Sequence, residues 1–285
     1  MKKKPQKIPF YRELSPEFVI ATEILGLKSL HFGYWEKDEQ LTLENLRKAQ
    51  KRYTSFLLKQ IPKNIKTILD VGAGMGDNAK ALARRGYFVT AISPDIRHKQ
   101  YYNTFKDKID FQRTIFENFK SKKRFDLILM SESQNYFDPD IGFEQCRKYL
   151  QKGGYLLVSG KFKRKTNQRF PQVRNAERDF IQKARKYRLE LIKRIDITEQ
   201  TLPNIRFAKE SYKKYIFPLE QMAYHYYQTN SSIKIKALLF ILKILFWKRI
   251  KLLKIAIRNY RDHLDIRIFK RYVVYLVLLF RLDSE

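Results

Sequence analysis

A single cysteine, Cys146, occurs in 285 residues, which excludes a disulfide framework and a thiolate metal cage and fits a reducing compartment. The four histidines, His31, His98, His225 and His263, are scattered without ligand spacing, so no metal is expected. No apolar run approaches the roughly 20 residues that cross a bilayer. Residues 237–247 are broken by Lys243, and 272–280 is short. The start, Met1 followed by three lysines and Pro5, lacks the apolar stretch of a signal peptide; the expectation is a cytoplasmic protein. Acidic residues are few, 29 against 59 Lys and Arg, for a formal net charge of +30. Anionic surfaces attract such a chain at long range. The excess grows along the sequence, from +10 over residues 1–150 to +20 over 151–285. A lysine-rich composition can also come from AT-rich coding, and both readings stay open. With 44% hydrophobic and 14% aromatic residues, the chain has enough apolar surface to exclude global disorder.

What is there alternates. Helical apolar spacing covers 42–58, and Pro62 ends a helical front section. Short β runs follow at 67–71, 88–92, around Phe111, 125–130, 155–159 and 189–195. Helices are predicted between them at 79–85, 96–105, 141–150 and 176–187. Strands alternating with helices predict an α/β fold with a parallel sheet covered on both faces. Residues 203–260 break the alternation, being helix-like and aromatic, and 272–280 reads as a last, seventh strand returning to the sheet edge. The expected division is a helical cover (1–62), a core (63–198), a cap (199–268) and the final strand (269–285).

The most informative segment joins Ile68-Leu69-Asp70-Val71 to Gly72-Ala73-Gly74-Met75-Gly76, a strand, a glycine loop and a helix start in succession. The glycines allow a tight turn and let a ligand lie against backbone amides at a helix N-terminus. The spacing differs from G-x-G-x-x-G, and an acid at the strand end suits a cationic amino-acid ligand better than a pyrophosphate. This favours S-adenosylmethionine over NAD; a structural or nucleotide-binding loop is the alternative.

From His31 to about Asp196 the chain resembles the class I S-adenosylmethionine-dependent methyltransferases, which implies a Rossmann-like, seven-stranded, doubly wound sheet with a helical insertion before the last strand. By resemblance Asp70, Gly72, Ala73, Gly74 and Gly76 hold the methionine part of the cofactor. Ser93 stands where the family usually has an acid for the ribose, and Asp95, two residues on, takes that role. Ile115 and Phe116 occupy the adenine position, where backbone amide and apolar stacking replace an acid. Ser131-Glu132-Ser133-Gln134-Asn135-Tyr136-Phe137 resembles the E-S-x-H-H segment of tocopherol and sterol type methyltransferases, with Asn135 and Tyr136 in place of the histidines, and implies an acceptor-lining loop. Leu30-His31-Phe32-Gly33-Tyr34-Trp35 resembles the H-[FY]-G-Y-W motif of small-molecule methyltransferases that include sarcosine and tocopherol enzymes and, more distantly, cyclopropane fatty acid synthases. The chain lacks [DN]-P-P-[YF] after the fourth strand and carries Cys146 in a helix, which argues against the nucleic-acid adenine-N6 and cytosine-C5 branches.

Methyl transfer from a sulfonium depends on positioning, with a base where the acceptor loses a proton. Tyr34, Trp35 and Tyr136 can supply an aromatic, water-poor site, or serve as ordinary core. Ser131 borders the cofactor, Glu132 can orient the acceptor or cap a nearby amide, and His31 is the candidate base or a structural histidine; the other three histidines have no assigned role. Between 233 and 261 lie nine Lys or Arg and no acid, interleaved with apolar residues. Such a segment suits an anionic membrane surface at the inner face, a substrate lid or RNA, or a solvated face. The expected acceptor is a hydrophobic or amphipathic small molecule of lipid, quinone or natural-product type. An RNA methyltransferase and a catalytically inactive, membrane-associated S-adenosylmethionine-binding protein are the alternatives.

Overall fold

The computed structural model describes residues 20–105, 107–167, 169–230 and 263–283. Strand β1 (Thr67–Val71) is followed by α2 (Asp77–Arg84), β2 (Phe88–Ser93), a 3-10 segment (Ile96–Phe105) and β3 (Ile109–Arg113). The chain then returns through β4 (Phe125–Ser131), α3 (Pro139–Tyr149), β5 (Leu150–Lys163), α4 (Glu177–Lys186) and β6 (Leu189–Asp196). Ahead of the sheet stands α1 (Leu43–Leu58), and after it come α5 (Thr198–Ser211), α6 (Phe217–Asn230), α7 (Ile266–Tyr272) and β7 (Val273–Leu282). The seven strands are ordered β3-β2-β1-β4-β5-β7-β6. Strands β1 to β5 pair in parallel, and β7 is antiparallel to both β5 and β6. The strand order reverses between β1 and β4, and the carboxyl ends of these two strands therefore flank the crevice where open α/β sheets bind ligands.

Both faces of β1 and β4 are covered, which is why these strands read as near-continuous apolar runs. Tyr53 and Leu57 of α1, with Leu82 and Ala83 of α2, pack against Leu127 and Leu157 on one face. Phe143 of α3 and Phe180 of α4 pack against Ile128 and Phe280 on the other. Three local expectations need correction. The segment after β2 is 3-10, not α-helical. Strand β5 begins at Leu150, because Gly153 at φ +69° and Gly154 form an irregularity within the strand instead of a turn before it. It also ends four residues later than expected, at Lys163, where β7 pairs with it as far as Val273. Of the expected cap, α5 and α6 are helical as anticipated, and α6 leaves Leu219, Met222, Tyr224 and Tyr226 exposed. The basic stretch 233–261 lies outside the described residues. Among the described residues no helix is long and apolar enough to cross a membrane.

The segment 29–35 has neither helix nor strand, so its backbone polar groups find other partners, as buried amides must. Phe32 N–H donates to Glu132 Oε1 at 2.8 Å. Gly33 is held at both ends by Asn204 of α5, donating to Oδ1 at 2.8 Å and accepting from Nδ2 at 2.9 Å. Tyr34 N–H donates to Ala49 O and Trp35 N–H to Gln200 O, while Gln50 Nε2 donates to Ser29 O and His31 O, both at 3.0 Å. This strap lies so close to α1 that a Cβ at Gly33 would stand 2.6 Å from Ala49 Cβ and 3.0 Å from its carbonyl carbon. Gly33→Ala is therefore expected to cost roughly 1–3 kcal/mol, the usual range for overpacking. A urea midpoint unchanged from wild type would contradict this packing.

Candidate active site

Beyond Asp70 the chain turns through Gly72, Gly74 and Gly76 at φ +74°, +55° and +83°, the left-handed region that L side chains seldom adopt. Gly72 and Ala73 N–H groups both donate to Ile92 O at 3.0 Å, folding the loop against the end of β2. A Cβ at Gly72 would meet Ser133 Cβ at 2.6 Å, and one at Gly76 would meet the Tyr102 ring at 2.7 Å. At Gly74 the nearest atom is the loop's own Gly72 O at 3.9 Å. The outer glycines make room for protein, and the middle one faces open space.

Asp70 at the end of β1 is 1% exposed, and its Oδ2 has no hydrogen-bond partner among the described residues. Burial, with the charge of Asp77 second, pushes its carboxyl from 3.8 up to about 7. Asp77, in the first turn of α2, is also raised by burial, opposed by His31, a hydrogen bond from Ser29, Lys80 and Lys28. Tyr102 O–H donates to Gly74 O at 3.0 Å, and burial raises this phenol as well. A buried carboxylate without a cation, beside a carbonyl and open space, is a site for a positively charged hydrogen-bond donor. An amino-acid ammonium meets that description.

At the end of β2, Ser93 and His98 pair through Oγ and Nδ1 at 2.8 Å, and His98 Nε2 lies 3.8 Å from Asp95 Oδ2. Asp95 Oδ1 accepts from Arg97 N–H at 2.9 Å. Burial lowers the pKa of His98, against the opposing charge of Asp95. His98 carried no expected role, yet it is hydrogen-bonded to Ser93 and stands beside Asp95. Ile115 caps a 3-10 turn (Phe116–Asn118) and is half-buried. The Phe116 ring is 3% exposed and packs on Phe137 at 5.6 Å between centroids, in the core on the α3 face.

The loop after β4 carries its backbone strain at Glu132, φ +58°. Glu132 Oε1 accepts from Phe32 N–H and, at 2.5 Å, from Tyr275 O–H. The Tyr275 and Tyr53 phenol oxygens lie 3.2 Å apart. Tyr53 donates to Ser159 Oγ at 2.7 Å and stands 3.0 Å from Ser131 Oγ. Burial, then the Glu132 charge, pushes Tyr53 up to about 12 and Tyr275 well above its ordinary value, so both phenols stay protonated donors. Among the described residues Glu132 Oε2 accepts no hydrogen bond, which leaves one oxygen fixed and the other available.

His31 Nδ1 lies 2.9 Å from Phe32 O, a carbonyl that can only accept, and Nε2 lies 3.3 Å from Thr54 Oγ1. Its ring rests 4.4 Å from that of Tyr53. The remaining aromatics take three different places. Tyr34 stacks on Phe56 of α1 at 4.8 Å. Trp35, 2% exposed, is enclosed with Leu46 and Ala49. Tyr136 is 63% exposed and lines a cleft of about 460 Å³ with Asp138, Asp179 and Lys183, which shares no residue with the glycine loop or the strap. Among the described residues no cluster of His, Cys, Asp or Glu could hold a metal ion.

Sequence reasoning missed Tyr53, Tyr275, Asn204 and Gln50. Their contacts with the strap and with the end of β4 and its loop span 19 to 171 positions in sequence, so no local pattern marks them.

Residues 42–194 match the family model for a methyltransferase domain. The ubiquinone biosynthesis O-methyltransferase of Pelagibacter ubique (strain HTCC1062) is 32% identical over 102 residues, which is 34% of this chain and 42% of that protein. The chain thus spans less than half the length of that curated relative. A solved structure from Galdieria sulphuraria, described as a sarcosine dimethylglycine methyltransferase, superposes with a TM-score of 0.69 at 14% identity, covering 95% of this chain and 99% of the other. Geranyl diphosphate C-methyltransferase from Streptomyces coelicolor A3(2) superposes with a TM-score of 0.64 at 13% identity, covering 95% and 94%. More than half of the sequence falls inside the family model. The chain belongs to the methyltransferase domain family and has the fold of the class I S-adenosylmethionine-dependent methyltransferases.

Proposed function

We propose that the protein transfers a methyl group from S-adenosylmethionine to a hydroxyl of an apolar or amphipathic small molecule. The observation that carries this reading is the unpartnered, buried carboxylate of Asp70 beside the open second glycine, Gly74. The name of the curated relative, an O-methyltransferase, supports oxygen as the acceptor atom.

When bound, S-adenosylmethionine supplies a methyl group on a sulfonium, reactive toward in-line displacement. Asp70 holds the ammonium of its methionine part, and the Gly72–Gly74 backbone lets it approach. Asp95, braced by His98, accepts from the ribose hydroxyls. Glu132 is held at Oε1 by Phe32 N–H and Tyr275 O–H, so Oε2 accepts the hydrogen bond of the acceptor hydroxyl. Glu132 Oε2 would then take up the proton that the acceptor hydroxyl gives up. The strap and β4 loop close the site against water, which strengthens these contacts. In this reading α5 and α6 belong to a cap over the acceptor. The exposed apolar side chains of α6, and the basic sequence of 233–261, favour a lipid-like acceptor met at an anionic membrane face.

Calorimetric titration with S-adenosylmethionine and S-adenosylhomocysteine, beside NAD, tests the assignment. The expected result is micromolar binding of the first two, none of NAD, and loss of both by Gly74→Val without unfolding. Binding of NAD alone, or full affinity in the variant, would refute it. Asp70 gives a second test with a definite sign. Its folded pKa of about 7 exceeds the ordinary 3.8, so folding favours the protonated form. Stability is undiminished below pH 3.8 and falls as pH rises through about 7. Asp70→Asn is therefore expected to stabilise the cofactor-free protein by on the order of 2–4 kcal/mol at pH 8 and hardly at pH 4, while abolishing S-adenosylhomocysteine binding. Wild-type binding should itself weaken below pH 7, where the carboxyl holds a proton. Denaturant titrations at the two pH values check the first, and calorimetry across pH the second.

A further inference from the structure

Lys161 has no part in the chemistry above. It stands opposite Tyr275 in the antiparallel β5–β7 pairing, and directly opposed residues project from the same face. Its ammonium lies 4.3 Å over the centre of the Phe32 ring, and Phe32 donates its N–H to Glu132. Its carbonyl accepts from Asn135 Nδ2 at 3.0 Å and Gln134 Nε2 at 3.2 Å, so the backbone beneath it is fastened to the loop that carries Glu132. Lys161 thus stands beside the strap, the β4 loop and β7 at once.

Its charge is unanswered. Among the described residues no carboxylate lies within ion-pair distance of Lys161, and Glu132 directs Oε1 to Phe32 and Tyr275 instead. The ring of Phe32 orients the ammonium but leaves its N–H groups without an anionic acceptor. Neighbouring cations differ. Lys163 is buried and donates to Asn167 O at 2.6 Å, and Arg164 Nε donates to Lys270 O at 2.9 Å. Residues 161–175 hold six Lys or Arg and no acid, so the local sequence around this half-buried ammonium supplies no counter-charge. Apolar surface lies next to it, where Phe32 packs against the cluster that includes Phe170 and Val273.

We propose that Lys161 receives an anionic group, a carboxylate or a phosphate, carried by the apolar body of the methyl acceptor; the inference rests on the reading of this site as the acceptor site. The acceptor then has two polar ends of different chemistry, a hydroxyl presented to Glu132 and an anion presented to Lys161.

The test is calorimetric titration with decanoate, decyl phosphate and decan-1-ol, with and without S-adenosylhomocysteine. Wild-type protein is expected to bind at least one of the two anions at least about 10-fold more tightly than the alcohol. The tighter of the two identifies the source of the negative charge. Lys161→Met, which keeps an apolar stem over Phe32, should lose that preference while binding decan-1-ol and S-adenosylhomocysteine as before, and Lys161→Arg should restore it. One charge in a net +30 is too small a change to remove a preference arising from the overall field. Equal binding of anion and alcohol, or a preference that survives Lys161→Met, overturns the inference and leaves the methyltransferase reading intact. Failure of S-adenosylhomocysteine to bind counts against that reading instead, and the cofactor-free titrations then decide for or against Lys161 separately.

Discussion

A carboxylate with no counter-charge among the described residues is buried at the end of β1, and the arrangement around it follows from that constraint. Asp70 is too enclosed to be solvated and has no cation partner among the described residues, so it is held partly as the acid by desolvation. Such a residue destabilises the fold by itself. Asp77 adds to the unfavourable charge, and the turn at Gly74 leaves the adjacent space open. A cationic ligand would satisfy all three at once, as expected of a binding site that sets stability aside for function.

The second organising element is the strap. It is fixed to α1 by the close approach of Gly33, to α5 by Asn204, and to the sheet by a single carboxylate oxygen of Glu132. The same oxygen accepts from Tyr275 on the last strand. Helix α1, the β4 loop and β7 therefore meet in one buried polar chain running from Glu132 through the two phenols to Ser131 and Ser159. Buried networks of this kind hold one geometry when every member is satisfied. Among the described residues, the second oxygen of Glu132 and the ammonium of Lys161 are groups of that neighbourhood without a hydrogen-bond or ion-pair partner.

Much of the fold was legible because its periods are strong. The buried strands at 67–71 and 125–130 are apolar runs bounded by turn residues, and they fall within one residue of the observed elements. The glycine loop was legible because only glycine meets its backbone angles. What escaped was set by distant pairing. The extension of β5 to Lys163 depends on a partner strand more than a hundred residues downstream. Tyr275 reaches Glu132 across 143 positions and Tyr53 reaches Ser159 across 106, and neither reach leaves a local pattern. His98 looked idle because a lone histidine has no visible partner until the 3-10 segment folds it against Ser93. Trp35 read either as a ring of the water-poor site or as ordinary core, because loop periodicity cannot say which side of a strap a ring faces; it is enclosed with Leu46 and Ala49.

Methyl transfer to a small apolar acceptor can be followed with S-adenosylmethionine carrying a carbon-13 methyl group. The labelled cofactor is incubated with the protein and a cell extract separated into lipid-soluble, nucleic-acid and protein fractions. The account predicts label in a lipid-soluble compound, attached to oxygen by its carbon-13 chemical shift, and none when Glu132→Gln replaces the wild type. Label recovered in RNA or protein, or no turnover despite cofactor binding, would contradict it.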